Sequence, residues 1–240
     1  MRKTTLMISA ALCSFAAPAY AQDQTAAPQA EEDAADQGDI IVTATRRSEA
    51  LSTVPIAISA VSGEALANTG ATDVRALNQL APSLLVSGAT SEVNFSARVR
   101  GVGTVGENAG LESSVALFID GVYRSRTGVG LSELGDIERV EVLRGPQGTL
   151  FGRNASAGLI NIVTKGPDFD FGGSGSATFG NYDYMRVDGS VTGPLVAEKL
   201  AFRLDGVWQQ RDGFIKNVTP GQKDINDRDR YLVRGQLLFE

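Results

Sequence analysis

Residues 174–179, 185–192 and 200–209 alternate between polar and apolar side chains with a period of two, the spacing of β-strands whose two faces meet different environments. The clearest run is 200–209. One of its faces carries Leu200, Phe202, Leu204, Gly206 and Trp208, and the other carries Ala201, Arg203, Asp205, Val207 and Gln209. Residues 230–239 form a fourth, less regular candidate strand. The last third of the chain is therefore predicted to form an antiparallel sheet with one polar and one apolar face.

Such a sheet suits either a soluble protein with one wet face or a membrane barrel. The runs approach the roughly 9 to 11 residues of a tilted membrane strand, and aromatic residues lie near their ends. Gly193 and Pro194 predict a short turn and residues 211–227 a long polar loop, as in outer-membrane barrels. Because about four strands are found and large plugged transporters have about 22, we expect an incomplete barrel in a fragment or truncated product, unable to sit stably in a membrane as a monomer.

The N-terminus predicts export. Arg2 and Lys3 precede an apolar run over residues 6–17, and Ala19-Tyr20-Ala21 offers a cleavage site, so residues 1–21 are expected to be a signal peptide. The run is shorter than the roughly 20 residues of a spanning helix. A lipoprotein signal is disfavoured because Leu12 stands before Cys13, where a small residue is required.

Composition narrows the function classes. The chain has 22 Lys+Arg, 28 Asp+Glu and no His, and cleavage of the signal would remove two cations and change the net charge from −6 to −8. The single cysteine would leave with the signal, which excludes disulfides and thiol catalysis in the mature chain. Without histidine, the commonest general base and metal ligand are missing. We therefore expect no enzyme, no cofactor or metal, and no nucleic-acid partner.

The middle of the chain predicts a small α+β domain over residues 50–165. Residues 22–38 lack large apolar side chains and are expected to be a disordered linker. Helices are predicted over residues 64–68 and 73–80. Strands are predicted near residue 58 and over residues 94–100, 115–120, 140–144 and 157–164, each bounded by turn residues.

One stretch in this domain is unusually specific. Residues 137–154 read Ile-Glu-Arg-Val-Glu-Val-Leu-Arg-Gly-Pro-Gln-Gly-Thr-Leu-Phe-Gly-Arg-Asn, and residues 158–165 read Gly-Leu-Ile-Asn-Ile-Val-Thr-Lys. With Arg100-Gly101 and the Phe-Ile-Asp-Gly-Val of residues 118–122, this resembles the plug signature of TonB-dependent outer-membrane receptors, from residue 39 to about 239. The resemblance implies an α+β plug domain followed, from residue 166, by the first strands of an antiparallel transmembrane β-barrel. Its signature residues, interpreted as structural, are Arg100, Gly101, Asp120, Gly121, Arg144, Gly145, Pro146, Gly148, Gly152 and Asn154.

Residues 39–45 resemble the TonB box of that family. The segment is β-prone and stands between the linker and a polar stretch, so it is interpreted as an isolated strand. An extended strand on a tether can add to the open sheet edge of a partner. The expected contacts with the periplasmic C-terminal domain of TonB are Asp39, Ile40, Ile41, Val42, Thr43 and Ala44. The alternative is that this segment is simply the first strand of the plug, paired within its own domain.

Two rival motifs carry less weight. Residues 101–106 match the dinucleotide pattern G-x-G-x-x-G with Asp120 downstream, but the intervening element is too short for a βαβ crossover. Asp136, Glu138 and Glu141 could form an acid/base or cation site, yet they are spaced along a strand and turn and are predicted to be solvated.

The resemblance implies energy-coupled uptake of a scarce nutrient, such as a siderophore, across the outer membrane of a Gram-negative bacterium. The implied partners are TonB, outer-membrane lipid and a small-molecule ligand of unknown identity. The remaining alternative is a secreted soluble binding or interaction protein whose last third is a small sheet.

Overall fold

The computed structural model describes residues 40–70, 76–87, 96–104, 112–125 and 133–240. The short elements are strands β1 (Ile41–Val42) and β2 (Glu49–Ala50), a 3-10 turn (Leu51–Thr53), and helices α1 (Gly63–Asn68), α2 (Leu77–Leu80) and α3 (Gly148–Phe151). The other strands of the first domain are β3 (Ile58–Ser62), β4 (Leu84–Ser87), β5 (Ser96–Val99), β6 (Val115–Ile119), β7 (Val122–Arg124), β8 (Ile137–Arg144) and β9 (Gly158–Thr164). The last four strands are β10 (Gly172–Gly180), β11 (Tyr184–Val196), β12 (Leu200–Arg211) and β13 (Arg228–Phe239).

A five-stranded mixed sheet in the order β3-β8-β9-β6-β7 forms the centre of the first domain. Strands β6 and β9 pair in parallel and the other neighbours are antiparallel. Strands β8 and β9 are buried along almost their whole length, as expected for central strands covered on both faces.

Each face of this sheet has its own hydrophobic cluster. The first cluster lies under α1, α2 and the β4–β5 pair, and includes Leu66, Leu77 and Ile160. The second lies on the opposite face, where Val42, Ala44 and the partly buried Phe151 cover Leu143 and Leu159, among others. The N-terminal segment and α3 thus form the layer over the second face.

Helix α1 begins at a close contact with β8. Its N-cap is Ser62, whose Oγ accepts a hydrogen bond from the Ala65 amide at 3.2 Å. A Cβ at Gly63 would overlap the carbonyl oxygen of Ile137, so only glycine allows the helix to approach the strand this closely. The predicted helix over 64–68 is found as α1. Of the second predicted helix, residues 77–80 form α2, and residues 73–75 lie outside the described residues.

Strands β10 to β13 form a four-stranded antiparallel sheet in chain order. The predicted alternation is present, and in β13 it extends along the whole strand. The outward side chains of β13 are exposed and largely apolar, with Tyr231 at 82% and Leu237 at 70%. The opposite face carries the polar side chains and lies against the first domain.

The predicted short turn exists but lies at residues 197–199 of the chain, so its placement at Gly193 and Pro194 is wrong. Both residues lie inside β11, where they pair with Phe202 and Ala201, and a register shift follows Pro194. Proline, which lacks an N–H, is tolerated beside such an irregularity. A Cβ on Gly193 would lie 2.7 Å from Cδ2 of Phe171, so this glycine makes room for a ring rather than a turn.

Among the described residues, no helix has the length and apolar character needed to cross a membrane.

Candidate functional site

The segment predicted to bind a partner strand lies docked on the first domain. Ile41 and Val42 pair with Ala50 and Glu49, and the Leu51 amide donates to the Ile40 carbonyl at 2.8 Å. Val42 and Ala44 are fully buried in the second cluster. The interpretation as an isolated strand is therefore wrong, and the alternative of pairing within its own domain describes this structure. Apolar side chains at alternate positions explain the docking, because they remove apolar surface from water. Asp39 lies outside the described residues.

A buried polar network fixes Thr43 to the central sheet. The Thr43 amide donates to Glu141 Oε1 at 2.9 Å, and its hydroxyl donates to the same oxygen at 3.2 Å. Asn161 Nδ2 donates to Thr43 Oγ1 and to Glu141 Oε2, each at 3.1 Å. Arg139 Nε completes the set with a 2.8 Å ion pair to Glu141 Oε1.

The prediction that Glu141 is solvated is wrong. Its side chain is 0% exposed, and a buried carboxylate is tolerated only when it is paired and hydrogen-bonded. Here Arg139 supplies the charge, while Thr43 and Asn161 supply further donors. The network thus couples the N-terminal segment to two central strands. Glu138, by contrast, is about half exposed and pairs with Arg139, which fits the solvated prediction more closely.

A second set of polar contacts joins the first domain to the polar face of β10–β13. Glu133 accepts from Arg186 Nη1 at 2.8 Å and from Gln209 Nε2, and Arg230 Nη1 lies 3.6 Å away. Because Glu133 and Arg186 are both buried, little solvent screens this pair.

Asp136 makes the same kind of contact three residues later. It pairs with Arg203, accepts from Ser190 Oγ at 2.9 Å, and lies 3.0 Å from Lys165 Nζ of its own domain. The prediction of a solvated side chain is wrong here too, because residues of β11 and β12 cover most of it. We call the sheet of strands β10–β13 the wall. Two further contacts, Gln236 to Thr164 at 2.7 Å and Arg234 to the Leu134 carbonyl at 3.4 Å, extend the interface.

The two interface carboxyls are tuned in opposite directions. Burial raises the pKa of Glu133, and the hydrogen bond and charge of Arg186, with the charges of Arg230 and Arg228, only partly oppose this. Burial also acts to raise the pKa of Asp136, but hydrogen bonds from Lys165, Arg203 and Ser190 outweigh it, so the pKa lies below its ordinary value.

The signature residues form turns and their supports. Seven of them have positive φ: Arg100, Gly101, Asp120, Gly121, Gly145, Gly152 and Asn154. Gly148 begins α3, and the exposed Pro146 stands just before its N-cap. Arg144 Nη2 donates to the Ile58 carbonyl at 3.1 Å, which ties β8 to the edge strand β3.

Two of these residues hold neighbouring strands through their side chains. The Asp120 carboxylate accepts from the Thr164 amide at 2.8 Å and its hydroxyl at 2.9 Å, so the acid of the G-x-G-x-x-G pattern supports a turn. Asn154 donates to the Tyr123 hydroxyl at 2.7 Å and to Glu112 at 2.6 Å. Over the described parts of the chain, no cluster of three or more Asp, Glu, His or Cys residues could hold a metal ion.

Comparison with known protein families identifies the family of the first domain. The family model described as TonB-dependent receptor plug domain matches residues 50–159. Residues 50–159 belong to the TonB-dependent receptor plug domain family. The chain's fold class is therefore the predicted one: a plug domain with a mixed sheet and short helices, followed by antiparallel strands of an outer-membrane β-barrel.

The similar proteins include a receptor and an outer-membrane protein. The pesticin receptor of Yersinia pestis is 30% identical over 224 residues, which are 93% of this chain and 32% of that receptor. An iron-regulated outer membrane virulence protein of Vibrio cholerae is 27% identical over 82% of this chain and 30% of its own length. The chain thus spans about a third of the length of the relatives it matches.

Solved structures show the same fold. The ferric yersiniabactin uptake receptor FyuA of Yersinia pestis superposes with a TM-score of 0.70 at 28% identity, over 76% of this chain and 28% of that receptor. The ferripyoverdine receptor of Pseudomonas aeruginosa has a TM-score of 0.69 at 23% identity, over 86% of this chain and 26% of its own, and supports the fold alone.

Sequence reasoning missed the contacts between plug and wall. The signal was present, because Arg186, Arg203, Arg230 and Arg234 all fall on the polar face of the predicted strands. Inward cations next to an enclosed domain require carboxylate partners. Which carboxylates meet them depends on how the plug is seated, and the spacing of residues along the chain does not contain that information.

Proposed function

We propose that this chain acts in TonB-dependent uptake of a scarce nutrient, such as a ferric siderophore, across the outer membrane of a Gram-negative bacterium. Three similar proteins support the substrate class: the receptor for ferric yersiniabactin, the iron-regulated outer membrane protein and the catecholate siderophore receptor Fiu. Residues 1–21 would serve as the export signal, and residues 22–38 as the linker that carries the TonB box into the periplasm.

The observation that carries the proposal is the seating of the plug against the wall. A buried ion pair joins Glu133 to Arg186, and a partly buried pair joins Asp136 to Arg203. Opening the interface must break both ion pairs and the hydrogen bonds from Gln236 to Thr164 and from Arg234 to the Leu134 carbonyl, so thermal motion alone is expected to open it rarely. Passage of a solute therefore requires work on the plug, which an energised partner supplies.

Residues 39–44 are the proposed handle for that work. Once released, an extended β-prone strand can pair with the sheet edge of the TonB C-terminal domain through main-chain hydrogen bonds. About five such bonds at roughly 0.5–1.5 kcal/mol each give weak, reversible binding. Val42 and Ala44 of the handle belong to the layer that covers the second hydrophobic cluster, so a pull on the handle acts on the plug core.

The test is capture of this chain by the immobilised TonB C-terminal domain. Deletion of residues 39–44 should abolish capture, and Val42→Pro should weaken it by removing a backbone donor. An equally long deletion of residues 25–30 is the control and should leave capture intact. Capture that is unchanged by the first deletion would overturn the proposed role of the segment.

A soluble secreted binding protein is disfavoured by the outward face of β13. Tyr231, Val233, Leu237 and Phe239 are all more than two-thirds exposed on that one face. A contiguous apolar band of this kind marks contact with lipid or another protein.

A further inference from the structure

Strand β1 has one edge paired with β2 and a second edge that faces away from it. The hydrogen bond between Ile40 and Leu51 identifies these two as a hydrogen-bonded pair of the antiparallel ladder. Because such pairs alternate along a ladder, the backbone groups of Ile41 and Thr43 point away from β2. This second edge is the one that an added partner strand would use.

Both backbone groups of Thr43 on that edge are occupied. Its amide donates to Glu141 Oε1 at 2.9 Å, and its carbonyl accepts from the Arg46 amide at 2.9 Å. A side-chain carboxylate thus occupies the position that a partner strand's carbonyl would take. Of the two residues whose backbone groups point to this edge, Thr43 is the one bonded to Glu141 and Arg46, and Ile41 takes no part in those two bonds.

Glu141 is itself held in place for this contact. Arg139 on one side and Asn161 on the other orient its two oxygens, and the residue is fully buried in strand β8. Charge-assisted hydrogen bonds of this kind are stronger than neutral ones. A neutral partner carbonyl therefore competes poorly for the Thr43 amide while the segment stays docked.

We propose that Glu141 is a latch that closes the free edge of β1, so that a partner strand can add to residues 40–44 only after Thr43 has left the sheet. The inference rests on the proposed function, because the partner strand is that of the TonB C-terminal domain. In this proposal the Glu141 side chain controls whether the TonB strand can reach residues 40–44, although Glu141 itself makes no hydrogen bond with TonB. The measured affinity for the partner is then the affinity of the free segment multiplied by the fraction of molecules in which it is released.

The sharpest test compares Thr43→Val with Thr45→Val. Thr43→Val removes the hydroxyl contacts to Glu141 and Asn161 but keeps the backbone and the β-branched shape that strand pairing uses. Thr45 Oγ1 is buried and has no hydrogen-bond partner within the described part of the chain, so Thr45→Val changes the same chemical group without touching the latch. Glu141→Gln, which removes the charge, is a second variant.

The measurement has two parts on the detergent-solubilised 240-residue chain. Binding of the fluorescently labelled TonB C-terminal domain should tighten about threefold to tenfold in Thr43→Val. This is the change expected when the docked state of residues 40–44 loses the net free energy of one hydrogen bond. Thr45→Val should bind like the wild type. Hydrogen–deuterium exchange of residues 40–44 without TonB should accelerate by a similar factor in Thr43→Val and Glu141→Gln.

The outcomes separate the latch from the proposed function. If exchange accelerates and deletion of residues 39–44 abolishes binding, yet Thr43→Val binds like the wild type, the latch is overturned and the proposed function stands. Unchanged exchange in both Thr43→Val and Glu141→Gln also overturns the latch. If the deletion leaves binding intact, the proposed function fails, and the latch fails with it.

Discussion

Arg186 Nη1 on β11 lies 2.8 Å from Glu133 Oε2 of the plug, and the two side chains are only 8% and 4% exposed. The pair joins residues that are 53 positions apart in the chain. It belongs to an interface in which the carboxylates come from the plug and the arginines from the wall, so its loss leaves a charge without its main partner on one side.

Arg186→Gln should lower the free energy of unfolding by roughly 3–5 kcal/mol, because it leaves the Glu133 carboxylate buried with weaker partners. The matched control is Arg153→Gln, which removes an exposed pair to Glu112 and should cost less than about 1 kcal/mol. Urea unfolding of both variants in detergent, followed by tryptophan fluorescence, measures the difference. Equal costs would show that burial adds nothing to the plug–wall pair.

Asp136 and Glu133, the two plug carboxyls at the interface, should make the stability of the protein depend on pH in opposite directions. The pKa of Asp136 lies below its ordinary value of 3.8, so its contribution is present above that value and is lost as the pH falls through the folded-state pKa. The pKa of Glu133 lies above 4.5, so the folded state binds its proton more readily and stability falls as the pH rises from 4.5 through the folded-state pKa.

Stability curves against pH for Asp136→Asn and Glu133→Gln check both signs. Asp136→Asn should remove the part of the acid-induced loss that occurs below pH 3.8, and Glu133→Gln should remove a decline that begins near pH 4.5. A wild-type curve that is unaltered by Glu133→Gln would contradict the assignment of that decline.

Gly63→Ala should destabilise the plug by about 1–3 kcal/mol or more, because the new methyl group overlaps the Ile137 carbonyl and forces α1 away from β8. Gly148→Ala is the control, since a Cβ there meets nothing within 4 Å. Thermal unfolding of both variants measures the cost. If Gly63→Ala proved neutral, the close seating of α1 would be refuted.

Val233→Lys should reduce association with lipid vesicles, because a charge on the lipid-facing side of a barrel strand costs up to about 2–4 kcal/mol near the bilayer midplane. Val218→Lys makes the same substitution in the β12–β13 loop, at a side chain that is 91% exposed, and should associate like the wild type. The assay is co-flotation of refolded protein with vesicles. Equal flotation of the two variants would favour the soluble alternative.

The strands of the wall were predictable from the sequence. The polar residues Arg203, Asp205 and Gln209 alternate with the apolar Leu204 and Trp208, and this alternation distinguishes the face toward the plug from the outward face. The docked state of Val42 and the burial of Glu141 were not predictable. A short β-prone segment after a linker fits both a free strand and a paired one, and its choice depends on Leu143, Leu159 and Glu141, about 100 residues later. Pro194 misled for a related reason: its tolerance inside β11 depends on the pairing with β12.

The plug has one hydrophobic cluster on each face of its central sheet, and this arrangement determines how many residues can be pulled out while the rest of the plug stays folded. Residues 40–54 cover only the second cluster, and the first cluster is buried by other elements. If a pull on residue 40 peels this layer away, it frees about 15 residues, or roughly 50 Å of extended chain. A periplasmic motor could thus take up a length comparable to the thickness of a membrane before the edge strand β3 begins to unzip from β8.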